Sequence, residues 1–104
     1  MSNLPPDLDP AVRAEAWIGD AVLALYVREW LLELNRGVMD GQLFMELTSN
    51  KFLRLVGNAT AVEARIGTAY REGGLAAAYE FIRTQLRPYM DRHLAVRRRK
   101  MQQS

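Results

Sequence analysis

Residues 16–27 read Ala16-Trp17-Ile18-Gly19-Asp20-Ala21-Val22-Leu23-Ala24-Leu25-Tyr26-Val27, an apolar run of helical spacing that contains one carboxylate. On a helix the neighbours of Asp20 three and four residues away are Ala16, Trp17, Leu23 and Ala24, with Val27 and Leu31 further along. All are apolar, so Asp20 is expected in a buried stripe. An isolated ionised carboxylate held there costs on the order of several kcal/mol unless it meets a cation, a hydrogen-bond donor or a metal. Gly19 costs roughly 1 kcal/mol relative to Ala inside a helix, which points to a backbone or a ligand approaching closely. The alternative for Asp20 is a carboxylate that faces a solvated groove or caps a neighbouring helix.

The run is part of a longer helix. Asp9-Pro10 is a strong start, with Asp as N-cap and Pro at the first helical position, and Asn35 and Gly37 mark the stop. Trp17, Ile18, Val22, Leu25, Leu31, Leu32 and Leu34 spread over more than one stripe. That width suits a central helix or one shared with a second subunit. Ahead of it, Ser2 to Leu8, with Pro5 and Pro6, reads as an extended lead-in.

Downstream, Asp40 can cap a second helical stretch carrying Leu43, Phe44 and Leu47, then Phe52, Leu55 and Val56, up to Gly57. The register slips between the two groups, which allows a break at Ser49-Asn50 with one of them capping a new helix. Asn58 is the N-cap expected for a helix through Val62, Glu63, Ile66 and Tyr70, stopping at Gly73-Gly74. Glu63 repeats the pattern of Asp20, since its helical neighbours Ala59, Thr60, Ile66 and Gly67 are small or apolar. A plainer reading pairs Glu63 with Arg65 or Arg54. A further helix should run from Leu75 to about Leu86, before Pro88, and Tyr89 to Lys100 can continue as a basic helix. No useful strand alternation is present, so the fold class is all-α, a compact helical domain. The organisation reads as a lead-in over 1–9, one helical domain over 10–86, and a basic C-terminal helix and tail over 87–104.

Composition narrows the function classes. With 104 residues, about half of them apolar, the chain can bury a modest core and is expected to be one soluble domain. Asp20, Arg28 and Glu29 interrupt its longest apolar run, so no membrane span is expected. The N-terminus has no secretory pattern, and the absence of cysteine agrees with a cytoplasmic setting. It also excludes thiolate metal sites. With His93 the sole histidine, any metal would sit mainly on oxygen ligands, as Mg²⁺ or Mn²⁺ prefers. From Arg87 onward six Arg or Lys face Asp91 alone, a net +5 that leaves −3 for residues 1–86. That asymmetry is compatible with a polyanion partner or with a solubilising terminus.

At this point the residues resemble a known family. Trp17-Ile18-Gly19-Asp20-Ala21-Val22-Leu23 is similar to the signature helix of ribonuclease III domains. Val62-Glu63-Ala64-Arg65-Ile66-Gly67-Thr68-Ala69-Tyr70, with Arg71-Glu72-Gly73-Gly74-Leu75, is similar to that family's second acidic helix and its glycine turn. Leu47-Thr48-Ser49-Asn50-Lys51-Phe52-Leu53 resembles the middle segment. The resemblance spans most of residues 11–86. It implies a helical endoribonuclease domain that acts as a homodimer on double-stranded or structured RNA, with Asp20 and Glu63 as catalytic, metal-binding acids for Mg²⁺ or Mn²⁺.

The chain departs from that pattern at several points. Two further glutamates of full-length bacterial enzymes correspond to Arg13 and Ala16, with Glu15 close but out of register, and an Asp corresponds to Thr60. These changes resemble the Mini-ribonuclease III branch, which has no separate RNA-binding domain, although the stretch between Asp20 and Glu63 is shorter here. Arg97, Arg98, Arg99 and Lys100 are the candidate RNA-binding residues, holding phosphates without reading sequence. Trp30, Tyr26, Tyr70 and Phe81 suit a core or dimer interface, or base stacking. The thinned acid set leaves a second reading, a catalytically inactive RNA-binding or ribosome-associated module.

Overall fold

The computed structural model describes residues 4–103. Residues 1–3 of the expected lead-in and residue 104 of the tail lie outside that range. Five helices follow in order: α1 (Pro10–Leu34), α2 (Gly41–Thr48), α3 (Asn50–Leu53), α4 (Ala59–Gln85) and α5 (Arg87–Gln103). The described residues contain no strand, so the fold is all-α.

Local capping explains the boundaries. The Asp9 carboxylate accepts from the Ala11 backbone N–H at 2.9 Å, Asp40 from Leu43 at 3.0 Å, Ser49 from Phe52 at 3.1 Å and Asn58 from Ala61 at 2.9 Å. Each satisfies an N–H that the helix start leaves without a partner. The break at Ser49 separates α2 from α3, as the slip of register requires. The lead-in differs from the extended expectation. The Pro5 carbonyl accepts from Leu8 and Asp9, at 2.9 and 3.1 Å, closing a turn that suits Pro6 at its second position.

α4 carries the sharpest change of direction. Gly74 adopts φ 76° and ψ −172°, which only glycine adopts readily, and divides α4 into two arms. In an unbroken helix Arg65 and Phe81 would be about 24 Å apart along the axis. The Arg65 guanidinium instead lies 4.9 Å from the Phe81 ring centroid, so the arms fold back on each other. The glycine stop expected at 73–74 is therefore a helical hairpin.

The core draws side chains from every element, most of them from α1 and α4. Leu23 and Val27 of α1, Leu47 of α2, Leu53 of α3, Ile66 and Ile82 of the two α4 arms, Leu86 and Met90 are fully buried. Met90 and Leu94 seat α5 on the same core. At its start Arg87 lies over the Trp30 ring, 4.2 Å from the centroid, and donates to the Tyr26 hydroxyl at 3.0 Å. Trp30 and Tyr26 are thus core residues, while Tyr70 stays exposed and Phe81 is covered by Arg65.

The contact that positions the site is glycine on glycine. A Cβ at Gly19 would overlap the Glu63 carbonyl oxygen and stand 2.9 Å from the Gly67 nitrogen. A Cβ at Gly67 would overlap the Glu15 carbonyl oxygen. Packed helices ordinarily keep their axes about 8–10 Å apart, and only missing side chains let two backbones touch in this way. The close approach inferred beside Gly19 is this crossing of α1 over the first arm of α4.

Candidate metal site

Because Gly19 rests on the Glu63 carbonyl, the next residue of α1, Asp20, lies beside the Glu63 side chain. Partial burial of Glu63, with the neighbouring Asp20 carboxyl and its negative charge, pushes the Glu63 carboxyl up to about 7. Among the described residues no cation makes an ion pair with Glu63: Arg65 lies over Phe81, and Arg54 makes no ion pair. The plainer reading of Glu63 as half of a salt bridge is thereby set aside.

Asp20 is not in a buried stripe. It is exposed, and Trp17, one turn before it, is 79% exposed. The core face of α1 follows Ala16, Gly19, Leu23, Tyr26 and Trp30, and Asp20 lies at its edge. The pattern of apolar neighbours misplaces it because Trp17, counted as core, faces solvent. Glu63 is half-buried, as its small neighbours suggest.

Asp20 and Glu63 line an open depression of about 360 Å³ together with Asp7, Arg13, Ala16, Trp17 and Thr60. Arg13 precedes Asp20 by seven residues and Thr60 precedes Glu63 by three, so both belong to the same helical faces as the acids. That spacing is the signal that could have placed them at the site from sequence. Glu15 points elsewhere: it accepts from Arg71 at 2.9 Å and Thr68 at 3.3 Å. No group of three or more His, Cys, Asp or Glu side chains among the described residues could hold a metal.

The donor set nonetheless suits a hard cation. Mg²⁺ commonly takes one or two carboxylates and keeps several waters, and two adjacent like-charged acids open to solvent offer that arrangement. A cation between them would also relieve the repulsion that raises Glu63.

The basic tail divides. Arg97 reaches back to Asp40 at 3.3 Å and Glu46 at 3.8 Å, so its guanidinium joins α5 to α2. Arg98, Arg99 and Lys100 are exposed and make no ion pair among the described residues. No protein-family model, curated protein or solved structure matches the chain. No helix among the described residues is long and apolar enough to cross a membrane.

Proposed function

We propose that the protein is a divalent-metal-dependent endoribonuclease of ribonuclease III type, cleaving double-stranded or structured RNA in the cytoplasm. The observation that carries this reading is the meeting of Asp20 and Glu63. Two acids from motifs far apart in sequence come together at a glycine crossing, and neither makes an ion pair among the described residues. Structural acids on a surface ordinarily point apart or pair with Lys or Arg, because like charges at such range repel. A carboxyl raised by burial and a like-charged neighbour in a cleft marks a candidate functional site, and a bound cation is one way to relieve it.

In this reading Asp20 and Glu63 hold Mg²⁺ or Mn²⁺ by their oxygens. The cation supplies an activated water for in-line attack on the phosphodiester and neutralises charge on the leaving oxygen. The chain's part is positional. The crossing at Gly19 and Gly67 sets the spacing of the two acids, and the depression they line is open to solvent. A-form RNA is read through its shape, phosphates and 2′-hydroxyls, which suits a small domain with exposed Arg98, Arg99 and Lys100. A second copy of the chain would cover the outward apolar surface of α1 and the loop after it. Leu25, Leu32 and Met39 are exposed there beside a groove lined by Leu31 and Phe44.

The test is cleavage of double-stranded RNA in Mg²⁺ by the wild type beside Asp20→Asn and Glu63→Gln. Either substitution is expected to abolish turnover while leaving the protein folded. Equal cleavage by all three overturns the assignment. A second reading, a non-catalytic RNA-binding or ribosome-associated module, draws on the two-acid limit of the cluster. Salt-dependent RNA binding with no metal-dependent cleavage would favour it.

A further inference from the structure

The depression holds one cation of the chain itself. Among the residues that line it, Arg13 is the sole positive side chain, and its guanidinium makes no ion pair among the described residues. Other basic residues of α1 and α4 are committed elsewhere: Arg71 to Glu15, Arg65 to Phe81, Arg28 to the Phe44 ring at 4.4 Å. Arg13 stands two helical turns before Asp20, about 10.5 Å along the axis and on the same face. An extended arginine side chain spans much of that distance while leaving room for a ligand between its tip and the carboxylates.

The electrostatics give that position a purpose. Three carboxyl groups, Asp7, Asp20 and Glu63, line the depression and oppose a polyanion there. A divalent cation at Asp20 and Glu63 would cancel the pair without attracting the phosphate's own charge. A guanidinium on the same depression would, and its planar fork matches two phosphate oxygens at once.

We infer that Arg13 is the phosphate-holding residue of the Asp20–Glu63 site, gripping the phosphodiester of the RNA while the two acids hold a single divalent cation. This rests on the endoribonuclease reading. It assigns a binding role to a residue that stands where an acid would be expected from the family resemblance, and it makes the site one of mixed charge.

Binding of a short labelled RNA duplex tests it, measured by fluorescence anisotropy across a range of salt concentrations. Ca²⁺ replaces Mg²⁺ because it accepts the same oxygen ligands. Calorimetric titration of Mg²⁺ alone is run in parallel on the wild type, Arg13→Ala, Arg13→Lys and Asp20→Asn. Arg13→Ala is expected to weaken duplex binding about tenfold and to reduce the salt slope by about one, with Mg²⁺ bound as well as in the wild type. Arg13→Lys should restore the salt slope but only part of the affinity, because it keeps the charge and loses the fork. Mg²⁺ should bind the wild type at one ion per chain, and Asp20→Asn should lose it.

An unchanged salt slope in Arg13→Ala with Mg²⁺ binding intact overturns the Arg13 assignment alone. Loss of Mg²⁺ by Arg13→Ala to the extent seen in Asp20→Asn also overturns it, since Arg13 would then only organise the acids. A wild type that binds Mg²⁺ no better than Asp20→Asn overturns the nuclease reading and this inference with it.

Discussion

Two places in the molecule bring a pair of acids together, with opposite outcomes. On α2 and its cap, Glu46 and Asp40 meet His93 and Arg97 from α5. His93 Nε2 lies 2.6 Å from Glu46, and Arg97 reaches both acids. The hydrogen bonds from His93 and Gln42 and the charge of Arg97 hold the Glu46 carboxyl below the usual carboxylate range. At the α1–α4 crossing, Asp20 and Glu63 meet only each other, and Glu63 is pushed up to about 7. The first pair helps to hold the fold together. The second is tolerated by the fold, and it is the pair on which the proposed function rests.

Substitutions at the crossing should have the largest effect. Gly19→Ala places a methyl group on the Glu63 carbonyl, so α1 and α4 must separate along the contact that buries Leu23 and Ile66. A loss of about 3 kcal/mol or more is expected in chemical denaturation. A near-neutral result would mean that the backbones do not touch.

Next in size is the α2–α5 clasp. Glu46→Ala removes a partner from both His93 and Arg97 and should cost about 1 kcal/mol at neutral pH, discounted because the pair is partly exposed. A carboxylate held low contributes stability above its unfolded value, and that contribution disappears as pH falls through the folded value. The difference between Glu46→Ala and wild type should therefore shrink on acidification, as read by melts from pH 7 down to pH 3.

Glu63→Gln should behave in the opposite way. A carboxyl whose folded value is raised favours folding while protonated, and that contribution is lost as pH rises through about 7. At pH 8 the Gln variant should melt higher than wild type by roughly 2–4 °C, with no difference near pH 4. Equal shifts at both pH values would refute the like-charge pairing. The smallest effect is expected in the tail, where Arg98→Ala should change stability by less than about 0.5 kcal/mol, in contrast to Arg97→Ala. If the two variants melt alike, Arg97 does not clasp α2.

Much of the scaffold was legible in the sequence because helix ends are local. Asp9, Asp40, Ser49 and Asn58 cap by contacts two or three residues away, and the glycines at 73–74 stop the first arm of α4 by backbone freedom alone. The inward position of Glu63 was legible as well, since its small neighbours leave that face half-buried. The exposure of Asp20 was not, because the pattern treats every large apolar residue as core, and Trp17 faces solvent. Nor was the commitment of Arg97. A run of basic residues carries no mark distinguishing the one that reaches Asp40, 57 residues away, from those beside it.

The sequence by itself determined an all-α chain and the starts and stops of its helices. These depend on caps, spacing and backbone freedom that act within a turn or two. Only the tertiary structure decided that Gly19 and Gly67 touch, that the two acids thereby face each other with Arg13 on the same depression, and that α5 closes on α2. Those outcomes depend on which distant backbones can approach closely enough, and that is set by the packing of the whole core.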